Sequence, residues 1–144
     1  MSRPASEQVP RVSREIQRLA LDVDRAMDDA LSAFRVTYVQ YLALEEIAAE
    51  PGIHTSELAR RCHVTPQTMG RIVTILERGG LIDVRSAGGR LLALRPTRRG
   101  TQVVADCRRA AAEVEERLLA GLRPVERAEL RELLVRSAIA LRGR

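Results

Sequence analysis

Residues 55–95 read TSELARRCHVTPQTMGRIVTILERGGLIDVRSAGGRLLALR, and this stretch decides the fold. A short helix is predicted from Thr55, a residue type suited to an N-cap, to Cys62. After two further residues, Thr65 is the predicted N-cap of a second helix and Pro66 its first residue. That helix ends at a pair of glycines, where a left-handed cap is favoured. Two helices joined by so short a turn predict a helix-turn-helix.

The hydrophobic period changes after the second helix. Residues 81–85 and 90–95 are short strand candidates, and residues 86–89, Ser-Ala-Gly-Gly, are the turn between them. A β-hairpin directly after a helix-turn-helix is a wing, so residues 36–97 are predicted to form a winged helix-turn-helix. The predicted fold class is therefore mainly α with a small β-hairpin (α+β).

Long amphipathic helices flank this unit. Apolar residues recur every three or four positions over residues 12–34, which predicts one helix with a single buried stripe. Thr37 and Gln40 form a capping box that opens the next helix. Two more helices are predicted after Thr97 and from Pro124. The first dozen residues are expected to be frayed. The first helix is long for a small domain, so a partner is expected to cover its stripe.

The composition bounds the class of protein. The 144 residues, 45% of them hydrophobic, suit one domain with a core. No run approaches the roughly 18 apolar residues of a membrane span, and the N-terminus does not resemble a secretory signal. A cytoplasmic protein without a membrane partner is therefore expected. Residues 55–109 carry 11 arginines against four acidic residues, a net charge of +7, whereas the whole chain carries +5. Such a basic middle segment is typical of nucleic-acid binding.

The second helix of the motif has a face suited to the major groove of double-stranded DNA. Gln67 can pair with the edge of adenine and Arg71 with that of guanine, whereas threonines can contact phosphate or a thymine methyl group. Gly70 costs the helix about 1 kcal/mol relative to alanine, which suggests a close approach or packing there. The predicted DNA contacts are Thr65, Pro66, Gln67, Thr68, Gly70, Arg71 and Thr74 on the helix, with Arg85 and Arg90 on the hairpin. The alternative, an ordinary solvated helix face, is disfavoured by the short turn, the hairpin and the local charge.

Several stretches together resemble the MarR family of bacterial transcriptional regulators. They are VTYVQYLAL (36–44), ELA (57–59), VTPQTMGRIV (64–73), LERGGLI (76–82) and TRRG (97–100). The resemblance covers nearly the whole chain and implies a single MarR-like domain, 1–144. It further implies a homodimer in which residues 12–35 and 98–142 are dimerisation helices and residues 36–97 are the DNA-binding lobe. Two such lobes would read a palindromic operator, most often as a ligand-responsive repressor.

The resemblance also bears on the wing and on a ligand. The family carries Asp-x-Arg at the wing tip; here Arg90 is present, but Gly88 stands at the position of the acid. Arg90 would therefore enter a minor groove without that acid to hold it. Family members commonly respond to small aromatic or anionic effectors, and Phe34, Tyr38 and Tyr41 lie near the expected site. The same three residues also suit an apolar core.

The sequence offers no constellation for catalysis, and neither a metal nor another cofactor is expected. No Ser/His/Asp arrangement or phosphate-binding glycine loop is visible, and the two histidines lack a third ligand at metal-binding spacing. Cys62 and Cys107 are interpreted as small buried hydrophobic residues rather than redox sensors. The competing function is a winged-helix module that binds protein, or that binds DNA without sequence preference. Gln67 and Arg71 favour sequence reading over this alternative.

Overall fold

Caps and turn residues set most element boundaries in the computed structural model, which describes residues 9–143. The elements are α1 (Val9–Leu31), a turn of 3-10 helix (Ser32–Phe34), α2 (Tyr38–Ala49), β1 (Ile53–His54), α3 (Thr55–Arg61), α4 (Pro66–Arg78), β2 (Ile82–Ser86), β3 (Leu92–Pro96), α5 (Arg98–Leu119) and α6 (Pro124–Arg142). The fold is mainly helical with a small antiparallel sheet, so the predicted fold class is confirmed.

The predicted helix caps are confirmed where the two residues that form the cap are close in sequence. Thr37 and Gln40 form the capping box of α2, with the Thr37 N–H donating to Gln40 Oε1 over 3.0 Å. Thr65 Oγ1 accepts from the Thr68 N–H at the start of α4, 3.1 Å away. After α4 the left-handed residue is Gly80, with φ of +72°. Local sequence therefore fixes where these helices begin and end.

Four predictions of element boundaries are wrong. The first helix begins at Val9 rather than after a frayed dozen residues, while residues 1–8 lie outside the described part. Thr55 is not an N-cap, because β1 precedes α3 directly and His54 takes the cap position. Arg90 lies in the hairpin turn and not in a strand, since β3 begins only at Leu92. The short α3 likewise ends at Arg61, one residue before the predicted end.

The sheet contains a strand that the sequence did not predict. Its order is β1-β3-β2, with Ile53 opposite Leu94 in one pair and Val84 opposite Leu94 in the other. The central strand therefore pairs on both sides, and β1 ties the start of the helix-turn-helix to the wing. His54 Nδ1 also lies 3.4 Å from the Leu92 carbonyl oxygen.

The core lies between the helix-turn-helix, the sheet and the middle of α5. Its fully buried large side chains are Leu31, Leu44, Ile47, Leu58, Met69, Leu76, Ile82, Leu94 and Cys107. The outer helices contribute little to this core. Ile16 on α1 and Leu133 and Ile139 on α6 are largely exposed, and the described residues of α6 include none that is buried. The stripe predicted on the first helix is therefore covered only towards its C-terminal end.

Candidate nucleic-acid interface

α4 is amphipathic in the way the sequence predicts. Its buried side is formed by Met69, Ile72, Val73 and Leu76. The residues proposed to contact DNA lie together on the opposite, exposed side: Thr65, Pro66, Gln67, Thr68, Gly70, Arg71 and Thr74. We call this surface the α4 face. Because the buried side is locked into the core, the α4 face is held in one orientation relative to the rest of the lobe.

Hydrogen bonds within the first turn of α4 decide which groups are available to a partner. Thr65 Oγ1 accepts from the Thr68 N–H and donates to Thr68 Oγ1, 2.9 Å away. The Thr68 hydroxyl hydrogen is then left to donate outward. Pro66 has no N–H. Among the described atoms of this turn, the N–H groups of Thr65 and Gln67 therefore remain as backbone donors for a phosphate.

The two remaining helix positions are small at the surface. Thr74 donates its hydroxyl hydrogen to the Gly70 carbonyl oxygen at 3.0 Å, so its methyl group and oxygen lone pairs are what it presents. A Cβ built on Gly70 would meet no atom within 4 Å, and its φ is not positive. Nothing in the described chain therefore requires glycine at this position. The packing reason allowed by the sequence is thus absent among the described residues.

The arginines divide into paired and unpaired sets, and this division locates the available positive charge. Arg60, Arg61, Arg108 and Arg109 form ion pairs with carboxylates. Six arginines of the basic segment make no ion pair or side-chain hydrogen bond within residues 9–143: Arg71, Arg78, Arg85, Arg90, Arg95 and Arg98. The net +7 of the middle segment is thus not spread evenly. The positive charge that no carboxylate neutralises includes the arginines of α4 and of the wing.

Arg61 is structural, although it belongs to the basic segment. Its guanidinium binds Glu46 on α2 at 3.3 Å, Glu50 at the C-cap of α2 at 2.5 Å, and Glu57 on α3 at 3.0 Å. Hydrogen bonds from Arg60 and Arg61 lower the pKa of Glu57 to about 2. This network joins the two helices behind α4 and takes two arginines out of the positive surface.

The wing carries its two predicted contacts at different places. Arg85 lies on β2 opposite Ala93 of β3, exposed to solvent. Arg90 lies in the turn after Gly88 and Gly89, whose φ angles of +105° and +57° a non-glycine residue rarely adopts. Neither arginine is held by an acid within the described residues, in agreement with the missing wing-tip aspartate.

One exposed residue of α4 was missed by the sequence analysis. Ile75 is 51% exposed and lies between Arg71, one turn before it, and Arg78, one turn after it. The hydrophobic pattern assigns isoleucine to the interior by default, so periodicity alone did not select it. The signal was its place in the helix: the buried residues are 72, 73 and 76, and position 75 falls outside that side.

The three aromatic side chains near the expected effector site are in different environments. Tyr41 is buried, its hydroxyl donates to Glu45 Oε1 at 3.1 Å, and burial raises its pKa to about 12. Phe34 is half-buried against the core. Tyr38 lines a surface groove of about 450 Å³ between α1 and α2, together with Asp24 and Asp28. Of the three, Tyr38 is the one that lines this groove.

The cysteine thiols are not activated. Burial raises the pKa of Cys62, and a further contribution comes from Glu46. Burial likewise raises the pKa of Cys107 to about 11. Both groups therefore stay protonated near neutral pH, which disfavours thiolate chemistry. Cys62 is only half-buried and Cys107 fully buried. Along residues 9–143, no helix has the length and apolar character to cross a membrane, and no cluster suits a metal ion.

Comparisons with known proteins agree with this architecture. The sequence model of the MarR family matches residues 36–90. The HTH-type transcriptional repressor Rv2887 of Mycobacterium tuberculosis is 29% identical over 107 residues, which span 73% of this chain and 77% of that protein. The crystal structure of the PcaV transcriptional regulator from Streptomyces coelicolor is 28% identical, with a TM-score of 0.76 over 92% of this chain and 98% of its own.

Solved structures of Rv2887 include complexes with DNA and with salicylic acid. The complex with DNA is 25% identical to this chain, with a TM-score of 0.72 over 86% of this chain and 94% of that chain. The complex with salicylic acid is 26% identical, with a TM-score of 0.69 over 84% and 91%. The family match falls on the helix-turn-helix and hairpin, and the structural similarity extends into the flanking helices. The proteins of the MarR family are transcriptional regulators, and the family is not a family of enzymes. The chain is similar to the MarR family of transcriptional regulators over the helix-turn-helix and the hairpin, and over most of its length to solved structures of such regulators.

Proposed function

We propose that the protein is a sequence-specific regulator that binds double-stranded DNA as a homodimer and represses transcription. The observation that carries this proposal is the α4 face, where Gln67 and the unpaired Arg71 are presented on a rigid amphipathic helix. Side chains that can make paired hydrogen bonds to base edges, on a helix of this width, suit the major groove. The solved complex of the relative Rv2887 with DNA supports the same assignment.

Each contact residue has a distinct role in this proposal. Gln67 pairs with adenine N6 and N7, and Arg71 pairs with guanine O6 and N7. The Thr68 hydroxyl and the Gln67 N–H bind phosphate oxygens and fix the position of the helix. Thr65 and Pro66 shape the first turn, while Gly70 and Thr74 keep the helix surface small next to the bases. On the wing, Arg85 binds phosphate and Arg90 reaches the minor groove.

The dimer follows from surface that the single chain leaves uncovered. Val12 and Ile16 on α1, and Leu133 and Ile139 on α6, are between 47% and 62% exposed. Large apolar side chains exposed together on two neighbouring elements are typical of an interface. We therefore propose residues 12–35 and 98–142 as dimerisation helices and residues 36–97 as the DNA-binding lobe. Two lobes related by a two-fold axis would bind a palindrome.

The test is a titration of the full chain against labelled DNA from upstream of its own gene. Unrelated competitor DNA is present, and the titration is made at two salt concentrations. Protection of a palindrome that survives competitor, with a specific-to-nonspecific affinity ratio of about 10³ or more, supports the proposal. Equal, salt-sensitive binding to all DNA contradicts sequence reading and favours an architectural role, because only the phosphate contribution is then present. Absence of DNA binding favours a module that binds protein.

We extend the proposal to a small aromatic effector, as the complex of Rv2887 with salicylic acid suggests. In this chain the Tyr38 ring lines the groove between α1 and α2, and its pKa is raised by burial and by Asp24, so the hydroxyl remains a donor. Asp28 already accepts from the Tyr38 N–H at 2.6 Å. The two carboxylates favour an uncharged aromatic molecule over an anion in this groove. Release of operator DNA by salicylamide but not by salicylate, abolished in Tyr38→Ala, would support this assignment; the reverse order would contradict it.

Chromosomal DNA as the partner also implies a cytoplasmic location.

A reporter fusion to the gene's own upstream region, compared with and without the gene, distinguishes a repressor from an activator. Higher reporter output in the strain lacking the gene is the result expected of a repressor.

A further inference from the structure

Ile75 is an apolar residue at the edge of an otherwise polar surface. It is 51% exposed, and unpaired arginines lie one helical turn to either side, at positions 71 and 78. Its position on α4 places it next to the α4 face rather than on the side that packs into the core. Any DNA that contacts Arg71 and Arg78 therefore also approaches Ile75.

Neither packing nor helix formation accounts for isoleucine at this position. Other residues of α4 complete the core of the lobe, and Ile75 is not among the residues that pack in or against that core. The exposed part of its side chain therefore adds nothing to the stability of the core. Its branched Cβ makes isoleucine a poorer helix former than alanine or leucine. Single exposed apolar residues are common on protein surfaces, so exposure alone decides nothing. What distinguishes Ile75 is that the partner proposed for this surface has an apolar group of its own.

That apolar group is the C5-methyl of thymine, which projects into the major groove. We propose that Ile75 is a specificity-determining residue that contacts a thymine methyl group in each half-site. This inference rests on the proposed function and adds a base to the reading by Gln67 and Arg71. Four residues along a helix span about 6 Å, or about two base-pair steps, so the thymine lies about two base pairs from the base that Arg71 reads.

The experiment uses the full chain and a binding site selected from a random-sequence DNA pool. Each thymine of the selected site is replaced in turn by uracil, which differs only in lacking the methyl group. For the wild type, one position in each half-site should weaken binding about four-fold, the factor that corresponds to one buried methyl group. Changing both half-sites together should weaken binding about 15-fold.

Ile75→Ala should bind the thymine site more weakly and lose its sensitivity to uracil at that position. Ile75→Val, which keeps a branched apolar side chain, should keep part of the sensitivity. The matched control is Glu77→Ala on the same helix, also exposed. It removes a negative charge near DNA and should strengthen binding to all sequences while leaving the thymine dependence intact. Thermal unfolding verifies that the exposed substitutions leave the fold unchanged.

The possible outcomes separate this inference from the function on which it rests. If no sequence is enriched from the pool, both are wrong. If a site is enriched but no thymine shows a methyl effect, or Ile75→Ala keeps the wild-type response to uracil, the regulator assignment stands. The role of Ile75 is then overturned. Equal weakening of Ile75→Ala on every sequence would overturn that role as well.

Discussion

Gly100 lies directly against the backbone of Leu81: a Cβ built on Gly100 would stand 2.0 Å from the Leu81 carbonyl oxygen. That oxygen accepts a hydrogen bond from the Thr97 N–H at 3.0 Å. Thr97 Oγ1 in turn donates to the Gly80 carbonyl oxygen at 2.7 Å, and Arg99 donates to that of Gly79 at 3.2 Å. The first turn of α5 therefore seats on the end of α4 and the start of the wing. A helix proposed for dimerisation is thereby tied to the helix proposed to read DNA.

Gly100→Ala should destabilise the protein. A methyl group cannot fit beside the Leu81 carbonyl without moving backbone, and overpacking of this kind costs about 1–3 kcal/mol. Denaturant unfolding monitored by circular dichroism measures the change. Gly121→Ala is the control, because a Cβ at Gly121 meets no atom within 4 Å. Equal stability of the two variants would mean that α5 does not seat on Leu81 as described.

Thr97→Val should lose stability while Thr97→Ser should lose little. The Thr97 hydroxyl accepts from the Gly100 N–H at 3.0 Å and donates to Gly80, and valine has the same shape without either bond. Loss of an N-cap costs about 0.5–2 kcal/mol. The free energy of unfolding of the two variants is compared with that of the wild type. A serine variant as unstable as the valine variant would show that the methyl group matters, not the hydroxyl.

Much of the fold could be predicted because the deciding contacts are local. The Thr37–Gln40 box and the Thr65 cap join residues three apart, and the buried side of α4 follows from helical spacing. β1 could not be predicted, since two residues carry no period and their pairing with β3 spans about 40 residues. For the same reason the residue type of Thr55 predicts an N-cap that the structure does not form: β1 precedes α3, and the Thr55 hydroxyl is buried without a hydrogen-bond partner among the described atoms.

The candidate site divides in the same way. The side of α4 on which Gln67 and Arg71 lie follows from sequence spacing alone. Sequence spacing does not predict which arginines are neutralised, because Arg61 forms ion pairs with Glu46 and Glu50, which are distant from it in sequence. Helical spacing places Ile75 outside the buried side of α4, but the 51% exposure of its side chain required the structure.

Gly70→Ala should make the protein more stable and its DNA binding weaker. A Cβ at Gly70 meets open space, so the helix gains up to about 1 kcal/mol from alanine. If DNA lies against this position, the added methyl group costs about 1–3 kcal/mol of binding to the selected site. Thermal unfolding and DNA titration of the same preparation give both quantities. Stabilisation with unchanged affinity would place Gly70 outside the interface.

The Glu57 network should give the protein a stability that declines in acid. The pKa of Glu57 is lowered from its ordinary 4.5 to about 2 by hydrogen bonds from Arg60 and Arg61. A carboxyl whose pKa is lower in the folded state stabilises that state above the ordinary pKa. This contribution is lost as the pH falls from about 4.5 to about 2.

Unfolding midpoints between about pH 6 and pH 2 should therefore fall less steeply for Glu57→Gln than for the wild type. The control is Glu77→Gln, since Glu77 makes no ion pair within the described residues. A Glu57→Gln variant with the wild-type slope would mean that the pairs with Arg60 and Arg61 do not form in solution.

Arg71 and Arg85 should differ in the kind of DNA binding that they support, because one lies on a helix facing base edges and the other on a strand of the wing. Arg71→Ala should weaken binding to the selected site by about 1–3 kcal/mol and relax the preference at one base pair per half-site. Arg85→Ala should weaken binding to all sequences about equally and lower the salt dependence by about one counterion for each phosphate that the arginine neutralises in the wild type. Titrations of both variants on the selected site and on unrelated DNA, at several salt concentrations, separate the two roles. If the affinity of both variants fell equally on every sequence, Arg71 would be a phosphate-binding residue and base reading would rest on Gln67 and its neighbours.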